Sequence, residues 1–323
     1  MALSLPIHGG DLAGAEARWG RPAGGWLDLS TGINPWPYAL PTLAAEAWTR
    51  LPGAAEEAAL RAAAARRFGT DSVCVLAAPG TSALIQALPR TVAVGPVAVV
   101  GPTYGEHARA WAAAGHQVTE VPTLEAAHAP VVVVVNPNNP DGRVVEPAAL
   151  LDRVEPGALL VVDEAFGDMS PALSVAPHLR PGLVVLRSFG KFYGLAGLRL
   201  GFALGLPEVL APVAAQLGPW PVSGPALAVG AAALADDGWG EVMIARLARW
   251  SGRLDGVLAA GGLTVVGGTS LFRLASHPHA ADLYDRLGRA GILVRAFENR
   301  PHLLRFGLPA DDAGMDRLAQ ALT

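Results

Sequence analysis

The sequence predicts an α/β fold, with a large domain built on a mostly parallel sheet flanked by helices and a small C-terminal α+β domain. Three observations carry this expectation. The apolar runs VVVVV (131–135), LLVV (159–162) and LVVL (183–186) do not alternate with polar residues. Such runs suit strands covered on both faces, as in a parallel sheet between helix layers. Helical patterns separate the runs, at 82–88, 105–114 and 147–154. After residue 207 the pattern turns helical to about 260 and then mixes strands and helices. The 323 residues suit about two domains at roughly 100–200 residues each.

In chain order, residues 1–41 carry Gly and Pro at short intervals and read as an irregular arm laid over another part of the molecule. Residues 42–68 are helical in pattern and stop at Gly69. Strands are expected at 73–76, 97–100, 118–121, 131–135, 159–162, 183–186 and 201–205. The segment WGEVMIARLARWSGRLDGVLAA reads as one long helix closed by Gly261-Gly262. Beyond it lie strands at 263–266, 270–275, 292–295 and 303–307 and helices at 279–290 and 311–322. The expected division is an arm (1–41), a large domain (42–220) and a small domain (221–323), the last boundary falling at GPWPVSG.

Composition excludes several classes. With 24 Lys and Arg against 28 Asp and Glu, the net charge of −4 carries no basic footprint for nucleic acid. The single cysteine, Cys74, rules out an internal disulfide or a cysteine-cluster metal site, and no metal is expected. The opening MALSLPIHGGDL lacks the basic start and apolar core of a signal peptide. The longest apolar stretches are too short to span a bilayer. A soluble cytoplasmic protein is expected.

Chemistry is expected beyond the C-terminal ends of the strands, where open α/β sheets bind ligands. The first strand runs into Ala78-Pro79-Gly80-Thr81-Ser82, which is either an anion site of free N–H groups and hydroxyls or an ordinary helix cap. It is neither a Walker loop nor a dinucleotide fingerprint. Tyr104 follows the next strand and either stacks on a planar ring or packs on the core. Asn136-Pro137-Asn138-Asn139-Pro140-Asp141-Gly142 is stiffer and richer in amides than a turn requires. Asp163 ends a buried strand, where a carboxylate is costly unless a metal or cationic partner meets it. Lys191 lies between Arg187 and Arg199. A lysine crowded by two cations should hold its proton less tightly and offer more free amine. A phosphate cradle, a stacking aromatic, an Asn, a buried Asp and a lysine together match the needs of pyridoxal phosphate.

These residues, in this order, resemble the fold-type I pyridoxal-phosphate enzymes of the class I/II aminotransferase superfamily over nearly the whole chain. The resemblance implies that Lys191 binds the cofactor aldehyde and that Asp163 pairs with the pyridine nitrogen. By the same resemblance Asn139 bonds the ring hydroxyl, Tyr104 stacks on the ring, and Gly80, Thr81, Ser82, Ser188 and Arg199 hold the cofactor phosphate. Arg305 would bind the substrate carboxylate. Lys191, Asp163 and Tyr104 form the implied catalytic set.

Two positions depart from the pattern: Phe166 stands where many relatives have a tyrosine that donates to the ring hydroxyl, and Leu51-Pro52 replaces a Tyr-Pro pair. Within the superfamily, HGGDL (8–12), LDLSTGINPWP (27–37), GPTYGEHARAW (101–111), VVVNPNNPDGR (133–143), VVDEAF (161–166) and RSFGKFYGLAGLRLGF (187–202) most resemble the threonine-phosphate decarboxylases of cobalamin biosynthesis, aerobic-pathway type. That branch implies O-phospho-L-threonine as substrate, an arm over the substrate side of the cofactor, and a homodimer. Candidate ligands for the substrate phosphate are His8, Gly9 and Gly10, with Asn34, Arg295 and Tyr193 behind them. The rival expectations are a histidinol-phosphate-type aminotransferase and a non-catalytic protein of the same pathway.

Overall fold

The computed structural model describes residues 8–323. Residues 1–7, the start of the expected arm and most of the segment read for a signal peptide, lie outside the described residues. Contacts divide the chain into two compact units. A sheet unit comprises residues 37–139 and 143–240, and a C-terminal unit comprises the N-terminal segment to Trp36, Pro140–Gly142 and Glu241–Thr323.

The N-terminal segment is more ordered than its sequence suggests. Helix α1 (Leu12–Trp19) starts at Asp11, whose carboxylate accepts from the Gly14 N–H at 2.9 Å. Strand β1 (Leu27–Asp28) comes next. The expected helix over 42–68 is two, α2 (Glu46–Thr49) and α3 (Ala54–Phe68), interrupted at Pro52-Gly53. Gly69 ends α3 at φ 70°, a left-handed cap that glycine adopts without strain.

The sheet unit then builds β2 (Val75–Ala78), α4 (Thr81–Ala87), β3 (Pro96–Val100), α5 (Glu106–Ala113), β4 (Gln117–Val121), β5 (Val131–Val135), α6 (Pro147–Asp152), β6 (Leu159–Asp163), β7 (Leu183–Ser188), α7 (Phe189–Phe192) and β8 (Gly201–Leu204). The strand order is β2-β8-β7-β6-β5-β3-β4. Strands β3 to β7 run parallel, and β8 is antiparallel to both β7 and β2. Every residue of β5, β6 and β7 is buried, which accounts for their unbroken apolar runs. Val135 pairs with Asp163, and Asp163 with Leu186. The register therefore brings the polar segments after these three strands to one edge.

Helices α8 (Pro207–Leu217), α9 (Gly224–Ala235) and α10 (Asp237–Ala260) come after the last strand of this sheet. The division between units falls inside α10, at Gly240/Glu241, and not at the sequence break near 220. The reason is α9, which packs into the sheet unit: a Cβ on Gly230 would lie 2.5 Å from Leu200 Cδ2 and 2.9 Å from Leu60 Cδ1. Gly230→Ala is therefore expected to destabilise the chain by about 1–3 kcal/mol through overpacking, read from chemical denaturation. A loss below about 0.5 kcal/mol, the level of an ordinary surface change, would refute this account of α9.

The C-terminal unit adds β9 (Thr264–Thr269), β10 (Phe272–Ser276), α11 (Ala280–Arg289), β11 (Ile292–Leu293), β12 (Arg295–Ala296), β13 (Leu303–Gly307) and α12 (Asp312–Leu322). Four strands pair antiparallel in the order β12-β13-β10-β9. The N-terminal segment is part of this unit. Strand β1 pairs parallel with β11. The Trp19 indole donates to Asp285 at 2.7 Å, stands edge-on 5.2 Å from the Tyr284 ring, and fills the space a side chain at Gly288 would need. A two-residue strand completed by a partner more than 260 positions away leaves no periodic signal in its own sequence. Among the described residues, no helix is long and apolar enough to cross a membrane.

Candidate active site

Asp163 closes β6 with 3 % of its surface exposed. Its Oδ1 accepts from the Ala165 N–H at 2.9 Å, and its Oδ2 lies 2.8 Å from His107 Nε2. His107 is fully buried in the first turn of α5. The buried carboxylate thus has an imidazole partner, as burial of an acid requires. Sequence reasoning missed this histidine. Its available signal was position: His107 follows Tyr104 by three residues, and the two rings stand edge-on 6.3 Å apart. Burial, then the charges of Glu106 and Asp163, push the Tyr104 phenol above its ordinary pKa and keep it protonated.

The two adjacent asparagines have different surroundings. Asn138 is buried, accepts from Thr103 Oγ1 at 2.6 Å and donates to the Pro102 carbonyl at 3.0 Å. It ties the loop after β5 to the loop that carries Tyr104. Asn139 is only half-buried.

A second cluster lies where β2 and β7 meet β8. Ala78 and Ser188 both pair with Gly201. A Cβ on Gly201 would lie 2.5 Å from the Thr81 N, and one on Gly80 would lie 2.7 Å from Arg199 Nη2. Gly80 (φ 85°) caps α4, and Arg199 is held at φ 56°, a left-handed conformation uncommon outside glycine. Ser82 is exposed in the first turn of α4. Gly80, Thr81, Ser188 and Arg199 are therefore brought together around Gly201. A helix start, hydroxyls and a guanidinium around a cradle that a single methyl would fill suit a phosphate group.

Lys191 sits on α7, with Nζ 6.0 Å from the centre of the buried Phe166 ring. The expected crowding by Arg187 is corrected. Arg187 is buried and ion-paired, Nη1 at 2.8 Å from Glu164 and Nη2 at 2.9 Å from Asp168, with its guanidinium 4.6 Å from the Phe68 ring centre. Burial pulls the guanidinium pKa down, but Asp168 and Glu164 more than offset that and leave it raised. Its charge is neutralised within this triad. Tyr193, expected among the substrate-phosphate ligands, is corrected too. Its ring lies between Phe189 (4.4 Å, interplanar 13°) and Trp239 (5.3 Å, 13°) and is 2 % exposed. Burial raises the phenol pKa strongly. A side chain enclosed in this way is a packing residue of the sheet unit.

In the C-terminal unit Gly9, Gly10 and Arg305 meet at Ser30. Arg305 on β13 is 7 % exposed, donates from Nη2 to the Ser30 carbonyl at 2.9 Å, and lies 5.0 Å from the Phe272 ring centre. The Gly10 N–H donates to Ser30 Oγ at 2.7 Å, and Gly9 lies so close to the Ser30 carbonyl that a side chain there would overlap it. Asn34 is buried and accepts from the Trp36 N–H at 2.9 Å, and His8 is exposed. Arg295 stands directly opposite Arg305 in the β12–β13 pairing. Like charges so placed repel. Burial, then Arg295, pushes the Arg305 pKa down to about 10. It remains cationic at neutral pH, and an anion would relieve both costs.

The sheet, its edge of polar loops and the lysine on α7 define the fold-type I architecture. The chain belongs to the aminotransferase class I and II family, whose model matches residues 31–322. It is 49% identical over 330 residues to a threonine-phosphate decarboxylase of Sinorhizobium sp, covering 99% of this chain and 98% of that protein. It is also 49% identical over 326 residues to a threonine-phosphate decarboxylase of Pseudomonas aeruginosa, covering 98% and 96%. Among solved structures it resembles a histidinol-phosphate aminotransferase from Sinorhizobium meliloti in complex with pyridoxal-5'-phosphate, with TM-score 0.79, 25% identity, and coverage of 99% of this chain and 94% of that one. The cofactor is pyridoxal phosphate, and the buried acid at Asp163 and the cradle at Gly80 and Arg199 fit the two ends of that molecule.

Proposed function

We propose that this chain is a pyridoxal-phosphate-dependent decarboxylase of O-phospho-L-threonine. It releases CO2 and forms (R)-1-amino-2-propanol O-2-phosphate, the aminopropanol linker of cobalamin biosynthesis. The observation that carries this reading is the 49% identity over nearly the full length to two threonine-phosphate decarboxylases. The facing pair Arg295 and Arg305 supports it, because the substrate carries both a carboxylate and a phosphate.

Bound pyridoxal phosphate supplies an electron sink for the pair left when a bond to the substrate Cα breaks. The protein decides which bond that is, by positioning. Asp163, with His107 behind it, holds a proton on the pyridine nitrogen. Tyr104 orients the ring by stacking, and Asn139 bonds its hydroxyl. Phe166 offers that hydroxyl no donor. Gly80, Thr81, Ser82, Ser188 and Arg199 hold the cofactor phosphate. Arg305 grips the substrate carboxylate and sets its angle to the ring. Arg295, His8, Asn34 and the backbone of Gly9 and Gly10 hold the substrate phosphate. Lys191 returns a proton to Cα after CO2 departs. The enzyme acts as a cytoplasmic homodimer, as its composition and family resemblance imply.

The test is incubation of the purified protein with pyridoxal phosphate and O-phospho-L-threonine, no oxo acid being added. Repeated-turnover CO2 release with equimolar aminopropanol phosphate is expected. The likeness to a histidinol-phosphate aminotransferase favours one other outcome. Absence of CO2 with conversion of the bound cofactor to pyridoxamine phosphate would replace the decarboxylase reading by transamination.

A further inference from the structure

The loop after β5 changes unit along its course. Asn139 belongs to the sheet unit, Pro140–Gly142 to the C-terminal unit, and Arg143 to the sheet unit again. Residues 140–142 are held in the C-terminal unit by backbone packed against backbone. The Gly268 N–H donates to the Asp141 carbonyl at 2.8 Å. A Cβ on Gly267 would overlap that same carbonyl, and one on Gly142 would overlap the carbonyl of Gly268.

The corner that receives the loop has a bulge. Leu274 of β10 faces Gly267 and Ala275 faces Val265, so Val266 is the extra residue. A bulge bends its strand and re-aims the residues beyond it. Gly268 (φ 142°) and Gly142 (φ 72°) need glycine for their conformation. Gly267 has no left-handed φ, so its requirement is for space against Asp141.

Asn139 therefore stands between two anchors. On one side Asn138 is bonded to Thr103 and Pro102. On the other, Asp141 is seated on Gly267 and Gly268, and the residue linking it to Asn139 is Pro140, whose ring locks φ and restricts the residue before it. A displacement of the Asp141 backbone passes through Pro140 to Asn139 with little slack.

We propose that Gly267 is a positioning residue for Asn139: by leaving room for the Asp141 carbonyl it sets where the Asn139 amide stands against the cofactor ring. This rests on the assignment of Asn139 to the ring hydroxyl, and the experiment separates the two. Cofactor-free full-length chain is titrated with pyridoxal phosphate, and binding is monitored by the visible absorbance of the bound form. The variants are Asn139→Ala, Gly267→Ala, Pro140→Ala, the exposed neighbour Val266→Ala, and the Gly267→Ala and Pro140→Ala changes in the Asn139→Ala background. Loss of the Asn139 bond and displacement by Gly267→Ala are each expected to weaken binding about ten-fold, the scale of one hydrogen bond to the ligand. Pro140→Ala is expected to weaken it about three-fold by restoring backbone freedom, and Val266→Ala to leave it unchanged. In the Asn139→Ala background neither Gly267→Ala nor Pro140→Ala should weaken binding further, because the group they position is gone.

Additive losses in that background would overturn the proposal and make Gly267 a general support of its hairpin. Unchanged binding in Gly267→Ala with a loss in Asn139→Ala would overturn the positioning and leave the Asn139 assignment standing. Unchanged binding in Asn139→Ala would remove that assignment and the proposal with it. Pro140→Ala reads the same coupling without adding an atom at the crowded corner, so the comparison survives if Gly267→Ala does not fold.

Discussion

Replacing Lys191 with Ala is expected to lower CO2 release from O-phospho-L-threonine by about 10⁴-fold or more, the combined scale of a lost amine that holds the cofactor and a lost proton donor. The Phe166 ring, centred 6.0 Å from Nζ, carries no titratable proton. Arg187 is committed to Glu164 and Asp168 and cannot be recruited. Lys191 is half-buried at the surface of a short helix, so the variant should fold, and its circular dichroism and melting should match the parent. Lys191→Arg keeps the charge but not a titratable amine and should be equally inactive. Retention of more than about a tenth of the activity would remove Lys191 from the chemistry, since such a loss is below the 10²-fold floor for a proton donor.

Arg187→Met is expected to cost about 3–5 kcal/mol of stability, because it leaves the two carboxylates of Glu164 and Asp168 buried without their counter-ion. The position of the triad makes the effect more than local. Glu164 follows Asp163, and Arg187 precedes Ser188, so the ion pair joins the ends of β6 and β7 one residue away from two of the residues proposed to hold the cofactor. Glu164 also accepts from Ser174 Oγ at 2.6 Å and from the Val175 N–H at 2.8 Å, which anchors the segment containing Phe166. Urea unfolding of the cofactor-free chain reads the loss directly. The triple change Arg187→Met, Glu164→Gln, Asp168→Asn should recover part of it, since neutral amides are cheaper to bury than unpaired carboxylates. A loss below about 1 kcal/mol in Arg187→Met, the value of an exposed pair, would show that the triad is solvated in solution.

These two residues also mark what could be read along the chain. Asp163 stood out because it ends a local signal, an unbroken apolar run closed by a polar residue at the strand's C-terminal edge, and Lys191 follows another such run by five residues. The strands of the large sheet, the cap at Gly69 and the long helix before Gly261 were legible for the same reason. Arg187 was not. Its neighbours in sequence are Leu186 and Ser188, and nothing there announces two carboxylates 19 and 23 positions earlier. His107 was overlooked because its partner, Asp163, is 56 residues away. Tyr193 looked available because its sequence neighbours are glycine and aromatics, yet Trp239 comes from far along the chain to close its second face.

The sequence by itself determined the α/β class, the succession of strands in the large sheet, and the residue types able to bind pyridoxal phosphate. These arise from periodicity and turn chemistry, which act over a few residues. Only the tertiary structure decided that the N-terminal segment folds with the C-terminal unit, that the division falls within α10, and that Arg187 and Tyr193 are internal supports. Burial, ion pairing and the space around Gly230 or Gly267 depend on which distant segments meet, and no stretch of sequence contains that information alone.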